Sequence, residues 1–241
     1  MPLRLHFPGR SRRVDTAAFD SSTFSGALPL FPLPNVVLFP YTFLPLHIFE
    51  PRYRAMTSGA LDGEGLIGMA LLKPGWEGEY YGNPAVHDVI GVGKIVENER
   101  HEDGRYNLIL QGVARARIVE VVSSDPYRTA KVELLEDRPE SGGKYDRLRR
   151  LLLHFYAEVL KKIAKGPAPA PPDDLPLGAL CDLISAVLGF EPPVKQSLLE
   201  DLDVASRCDH LVSLLQSSDA PGFEEGKPPM NRPWPPGASA N

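Results

Sequence analysis

Histidine side chains are the first candidates for catalysis or metal binding in this sequence. The six histidines are His6, His47, His87, His101, His154 and His210. No two of them have the H-x-x-x-H spacing that would place two ring nitrogens on one helix face, and none lies in H-E-x-x-H. We therefore expect structural or surface roles for all six.

Carboxylates and thiols are the next candidates. Glu97, Glu99, Glu102 and Asp103 crowd one stretch around "NERHEDG", which favours a hairpin tip over a metal site. The two cysteines, Cys181 and Cys208, are too few for a Cys₄ zinc site and are expected to be buried reduced thiols, with a disulfide as the alternative. No G-x-S-x-G nucleophile motif occurs. The sequence therefore predicts no catalytic residue, no metal and no cofactor.

Binding has better candidates, beginning with an aromatic loop. The segment "KPGWEGEYYGNPA" (73–85) places Trp76, Tyr80 and Tyr81 among glycine and proline. Aromatic side chains on exposed loops often anchor partners, so we predict that these three contact a polypeptide. The alternative is that the rings fold back over the end of the β-rich half.

A second candidate lies at the start of a predicted helix. The stretch "FEPRYRAM" (49–56) brings Glu50, Arg52, Tyr53 and Arg54 together, charged and aromatic at once. We predict that these four also belong to the polypeptide-binding surface. The alternative is an ordinary solvated helix end.

Charge is unevenly distributed along the chain. The net charge is −5, and residues 28–139 carry 11 basic and 15 acidic side chains. A nucleic-acid-binding surface would be basic overall or along a stripe, so this half argues against one. Basic side chains cluster in residues 144–165, and we interpret them as a solvated helix face, with docking of acidic segments as the alternative. They are Lys144, Arg147, Arg149, Arg150, Lys161, Lys162 and Lys165.

Strands are predicted for the first half of the chain. Short apolar runs cover 65–72, 88–98 and 127–137, while 106–122 reads as two strands that meet near Gln111–Gly112. Gly91 and Gly93 indicate a bulge or a close backbone approach. Proline interrupts the first strands repeatedly, which we interpret as corners where short strands end. One helix should begin at Pro51. Closely spaced short strands are typical of a small barrel or sandwich.

Helices are predicted after residue 140. Leu148, Leu152 and Phe155 recur at three- or four-residue spacing within an amphipathic helix. A proline-rich connector (166–174) and three further helices follow, the last with Asp203 as its N-cap. We assign residues 1–27 to a disordered arm, 28–139 to a β-barrel, 140–216 to a helical bundle and 217–241 to a disordered proline-rich tail.

These motifs together resemble the N-terminal substrate-recognition domain of Lon proteases. The segments that carry the resemblance, over about residues 28–215, are "LPLFPLPNVVLFP", "LPLHIFEPRYRAM", "GVGKIVENERHEDGRYNLILQGVARARI" and "LCDLISAVLGFEPPVKQSLLEDLDVASRCDHLVSLL". The resemblance implies an α+β fold, with a PUA-like β-barrel followed by an α-helical bundle. Both parts agree with the strand and helix patterns above.

The chain departs from that family where the family's enzymatic domains would begin. Lon proteases continue into an ATPase and a Ser/Lys peptidase, but no G-x-x-x-x-G-K-[ST] occurs here, since "SGGKYD" (141–146) lacks the first glycine and the Ser/Thr. We therefore expect a stand-alone, non-enzymatic module that binds exposed apolar or unfolded polypeptide segments, in protein quality control.

The expected partners are extended polypeptides, with a separate protease or chaperone as a further candidate, and neither nucleic acid nor membrane. The alternative is an RNA-binding PUA-like protein. No run of 18 apolar residues and no apolar signal core occurs, so we expect a cytoplasmic protein.

Overall fold

The fold is a mixed α+β arrangement, seen in a computed structural model that describes residues 19–80, 82–138, 144–163 and 175–216. The strands are β1 Ala27–Leu33, β2 Phe43–Ile48, β3 Leu66–Leu71, β4 Val89–Arg100, β5 Tyr106–Ser123 and β6 Thr129–Leu135. The α-helices are α1 Pro51–Asp62, α2 Lys144–Ile163, α3 Leu177–Val187, α4 Pro192–Glu200 and α5 Val204–Gln216.

The six strands form one sheet in the order β2-β5-β4-β3-β1-β6. Strand β6 also pairs with β5, so the pairings β5–β4–β3–β1–β6–β5 form a closed cycle. Only β1 and β3 run parallel among these pairs. The stretch 106–122 is one strand and not two, since β5 continues through Gly112 and exchanges partners from β2 to β6 along its length.

Glycines in β4 and β5 allow the segment before β2 to cross the sheet closely. A Cβ at Gly91 would lie 2.0 Å from the Leu38 carbonyl oxygen, and one at Gly112 would lie 2.0 Å from that of Phe39. Any side chain there would therefore collide with backbone. The register also shifts between Val92 and Gly93, so the predicted bulge and close approach are both confirmed.

Three of the prolines lie inside strands and not at the strand corners that we predicted. Pro29 and Pro32 lie within β1, and Pro45 lies within β2. The β1–β6 pairing stops at Pro29, and β2 pairs with β5 alone. Proline is tolerated in a strand where its missing N–H would face no partner, and these strand margins provide such positions.

The helices begin and end close to their predicted positions. Pro51 is the first residue of α1, and Asp203 caps α5 by accepting a hydrogen bond from the Ser206 N–H at 3.0 Å. Cys181 and Cys208 are buried, unlinked thiols, which confirms their prediction. The helical core also contains Phe39 and Val89 from the strand region, so apolar contacts join sheet and helices.

Buried charges form a second link between sheet and helices. The fully buried Asp182 of α3 accepts a hydrogen bond from the Arg115 guanidinium of β5 at 2.5 Å, and Arg207 Nε of α5 lies 3.4 Å from the same carboxylate. Asp137 contacts both arginines. Burial raises the pKa of Asp182, while the two guanidiniums act in the opposite direction.

Part of the region predicted as a disordered arm is structured. Phe19 and Phe24 pack against one core cluster of the sheet, and the Ser25 N–H donates to Glu64 Oε1 at 2.9 Å. Residues 1–18, the connector 166–174 and the tail 217–241 lie outside the described residues. The predicted domain limits stay predictions.

Candidate functional site

Five of the seven predicted binding residues come together beside the start of α1. They are Glu50, Arg52, Tyr53, Trp76 and Tyr80. Arg54 is not among them, because its guanidinium packs over Gly104 in the β4–β5 turn. Tyr81 lies outside the described residues.

Arg52 is the centre of this cluster. Its Nε donates to Glu50 Oε2 at 3.1 Å, and its guanidinium carbon lies 4.5 Å from the Tyr53 ring centroid and 4.8 Å from that of Tyr80. The guanidinium thus lies over two aromatic faces, an arrangement that stabilises a partly buried cation. The Tyr80 hydroxyl donates to Glu50 Oε1, which holds the loop against α1.

The two tyrosines are buried and neutral at physiological pH. Tyr53 and Tyr80 are each 4% exposed. Burial raises the pKa of Tyr53 to about 12, and burial followed by the hydrogen bond to Glu50 raises that of Tyr80 still further. The expectation that Tyr80 is exposed is therefore wrong, since its ring folds back onto the β-rich half. For Tyr80 the structure therefore agrees with the alternative, in which the loop aromatics fold back.

Trp76 is neither fully exposed, as a binding anchor would be, nor fully folded back over the β-rich half. It begins a single 3₁₀ turn, is half-buried and meets the Tyr80 ring edge-on, with centroids 6.2 Å apart. One part of the indole thus covers Tyr80 while another part stays accessible. A role for Trp76 in binding stays a prediction.

A narrow cleft opens next to this cluster. Its lining comes from β1, α1, the loop after β3 and the turn before β6. The lining residues are Leu30, Pro32, Arg52, Tyr53, Leu72, Tyr80, Gly82, Asn83, Pro84, Ser124, Pro126, Tyr127 and Arg128. Its free volume is about 30 Å³, which is room for one or two water-sized groups. Pockets for small-molecule substrates are typically about 300–1,000 Å³, so the cleft can hold only a small polar group.

Arg128 is the charged residue of the cleft lining that the sequence did not single out. It is 9% exposed, and burial lowers the pKa of its guanidinium. Tyr53 opposes this shift, while Arg52 acts in the same direction as burial. Asn83 Nδ2 donates to Ser124 Oγ at 3.2 Å at the same cleft. No sequence pattern indicates such burial, because the residues that share the cleft with Arg128 come from distant parts of the chain, β1, α1 and the loop after β3.

An exposed apolar edge was also missed. Val119, Val121 and Val122 of β5 are 65%, 44% and 46% exposed, and we call them the valine edge. The β4–β5 pairing ends at Val89 and Arg117, whereas β5–β6 pairing continues to Ser123. Among the described residues, one backbone side of 119–123 therefore has no strand partner. A strand margin that is both apolar and unpaired is a place where another extended chain can add.

The described part of the chain offers no metal site and no membrane-spanning helix. No group of three or more His, Cys, Asp or Glu side chains there could hold a metal ion. None of the described helices combines the length and apolarity needed to cross a membrane. The "NERHEDG" stretch forms the turn between β4 and β5, which confirms the predicted hairpin tip.

Comparison with known proteins identifies the family. Residues 27–217 match the family model described as the ATP-dependent protease La (LON) substrate-binding domain. The Lon protease of Dictyoglomus thermophilum is 31% identical over 194 residues, covering 78% of this chain and 24% of that protein. Lon protease 2 of Myxococcus xanthus is 31% identical over 192 residues, covering 78% and 23%. The chain thus spans about a quarter of the length of these relatives.

Solved structures agree with this assignment at the level of the fold. A Lon N-terminal domain protein from Xanthomonas campestris superposes with a TM-score of 0.56 at 21% identity, over 78% of this chain and 97% of that one. The N-terminal domain of a Mycobacterium avium complex Lon protease gives 0.55 at 18% identity, over 78% and 96%. The fold is therefore that of a Lon N-terminal domain, with one mixed sheet and helices. The chain belongs to the Lon substrate-binding domain family.

Proposed function

We propose that this chain is a non-enzymatic polypeptide-recognition module that binds extended apolar segments of unfolded proteins in protein quality control. The observation that carries the proposal is the match of residues 27–217 to a substrate-binding domain. Within Lon proteases the ATPase and peptidase lie in other parts of the chain, and the nucleotide-binding motif is missing from this sequence. Binding without chemistry is therefore the activity that the matched region supports.

The finer fold assignment is part of the same proposal. The closed cycle of strand pairs supports a PUA-like barrel over residues 28–139, and α2 to α5 support a helical bundle over 140–216. The barrel would supply the binding surface. The bundle would brace it through the Arg115–Asp182–Arg207 contacts.

The valine edge is the surface that we assign to the polypeptide. An extended segment could pair with the free backbone side of 119–123 while its apolar side chains cover Val119, Val121 and Val122. Backbone hydrogen bonds do not depend on the partner's sequence, which suits a module that accepts many unfolded clients. Covering three valines would contribute about 1 kcal/mol each, as estimated from the apolar area removed from water.

A titration with a matched control tests this assignment. Fluorescence anisotropy would follow binding of a labelled apolar decapeptide and of a reduced, alkylated model protein. Changing all three valines to threonine keeps side-chain shape and strand propensity but removes apolar surface, so affinity should fall at least tenfold. The control is Val187→Thr, because that valine of α3 is also 44% exposed but lies away from the edge.

The outcomes separate this proposal from RNA binding. Equal affinities for the wild type and the triple variant would overturn the valine edge as the site. No binding of either probe would overturn polypeptide recognition. A gel-shift with mixed RNA should show no complex, and a complex that weakens steeply with salt would instead favour an RNA-binding protein.

A further inference from the structure

Arg128 is a buried cation without a counter-ion among the described residues. The residue is 9% exposed, and no ion pair or side-chain hydrogen bond joins its guanidinium to another described residue, although Tyr53 lies near enough to interact with it electrostatically. None of its nitrogens is among the fully buried, unpartnered polar atoms of the described residues, so the guanidinium reaches solvent only through a small opening. Water solvates a guanidinium strongly, so burying one without a partner is costly. An acceptor from outside the chain that enters the cleft would offset this cost.

The other buried arginines of this chain show the contrast. Arg115 is 3% exposed and contacts both Asp182 and Asp137, while Arg207 is fully buried and contacts the same two carboxylates. The fold thus neutralises buried guanidiniums where they serve as internal links. Arg128 differs from both, and it lines a cleft that opens to solvent.

The charges around the cleft leave one positive charge in excess. Arg52 and Arg128 both line it, but among the described residues Glu50 is the only carboxylate paired with either of them, and it pairs with Arg52. Tyr53 and Tyr80 add no negative charge, since burial keeps both phenols protonated. One monoanion would restore neutrality.

The size and lining of the cleft select the kind of anion. Its free volume of about 30 Å³ matches a single carboxylate and not a ring or a nucleotide. Asn83 and Ser124 supply neutral polar atoms beside Arg128, while Leu30, Pro32 and Leu72 supply apolar walls. A guanidinium is well suited to bind both oxygens of a carboxylate at once.

We propose that the cleft binds one carboxylate of the recognised polypeptide, with Arg128 as its principal ligand. This inference rests on the proposed polypeptide-binding function. The carboxylate could be the C-terminal α-carboxylate or an Asp or Glu side chain, because both present the same two oxygens. Recognition would then combine an apolar edge contact with one charged contact at Arg128.

Three apolar decapeptides distinguish the sources. The first carries a free C-terminus, the second a C-terminal amide, and the third an amide with one internal aspartate. The first or the third should bind at least tenfold more tightly than the second, and Arg128→Gln should remove that advantage. The control is Arg117→Gln, an exposed arginine of β5 outside the cleft lining, which should leave it unchanged.

Two further measurements keep the test decisive. Sodium acetate, compared with sodium chloride, should shift the Arg128 Nε–Hε resonance of ¹⁵N-labelled wild-type protein saturably. Arg128→Gln should also leave the melting temperature unchanged or raise it, because it removes an uncompensated buried charge. A purely structural arginine would lower it.

The failures are distinguishable. Equal binding of all three peptides, with no effect of Arg128→Gln, would overturn the carboxylate site and leave polypeptide recognition intact. If none of the peptides bound, the proposed function would fail, and only the acetate titration would still test whether the cleft binds a carboxylate. An Arg128 resonance that acetate does not move would then overturn the site.

Discussion

Replacing Asp182 by alanine should destabilise the protein severely, because this carboxylate lies between two buried guanidiniums. It accepts from Arg115 at 2.5 Å and lies 3.4 Å from Arg207 Nε, and its side chain is fully buried. Among the described residues, the variant would leave both cations with Asp137 as their only carboxylate partner. Removing one partner of a buried ion pair typically costs about 3–5 kcal/mol. We expect that loss here, which is a large fraction of the usual stability of a domain.

Urea unfolding followed by circular dichroism measures this loss. The midpoint should fall while the slope stays unchanged, since the variant alters stability and not the surface exposed on unfolding. The control is Glu120→Ala, which breaks an exposed 3.3 Å pair with Lys131 and should cost no more than about 0.5 kcal/mol. A loss under about 1 kcal/mol for Asp182→Ala would refute the view that this network links sheet and helices.

Three further changes test separate parts of the structure. Burial lowers the pKa of Lys195 to about 8 in the folded protein. Above that pH the unfolded chain binds more protons than the folded protein, so the free energy of unfolding should rise by roughly 1–2 kcal/mol between pH 7.5 and 9.5. Urea unfolding at several pH values measures this rise, and Lys195→Met should abolish it. If the free energy of unfolding of the variant rose with pH as much as that of the wild type, Lys195 would not be its source. Gly112→Ala should cost roughly 1–3 kcal/mol or more, because the new Cβ would collide with the Phe39 carbonyl oxygen. Gly78→Ala, with open space around it, should be nearly neutral by thermal unfolding. Trp76→Ala should weaken peptide binding by about 1–3 kcal/mol and destabilise by less than the 3–5 kcal/mol of a fully buried tryptophan; unchanged peptide affinity would exclude it as an anchor.

Local patterns in the sequence predict the helices well. Pro51 and Asp203 fix the starts of α1 and α5 because proline and an aspartate cap act on the first turn alone. Gly91 was predicted correctly for a related reason: glycine in a strand indicates a backbone that comes close, whatever segment that proves to be. Signals of this kind need no knowledge of distant parts of the chain.

Features that depend on distant segments could not be predicted. Gly112 resembles a turn between two strands, but β5 continues because β2 and β6 supply successive partners along it. Tyr80 was expected in solvent and is buried, since Glu50 and Arg52 of another element hold its hydroxyl and its ring. The burial of Arg128 and the exposure of Val119 likewise depend on where neighbouring elements end.

Amide chemical-shift mapping tests the central claim most directly. An unlabelled apolar decapeptide with a free C-terminus would be titrated into ¹⁵N-labelled protein, with the shifts followed residue by residue. Recognition as proposed predicts saturable shifts in two places: at residues 119–123, which include the valine edge, and at the cleft around Arg128. The amides of α4 and α5 should change little. No saturable shifts, or shifts confined to the helices, would contradict polypeptide recognition by the strand region.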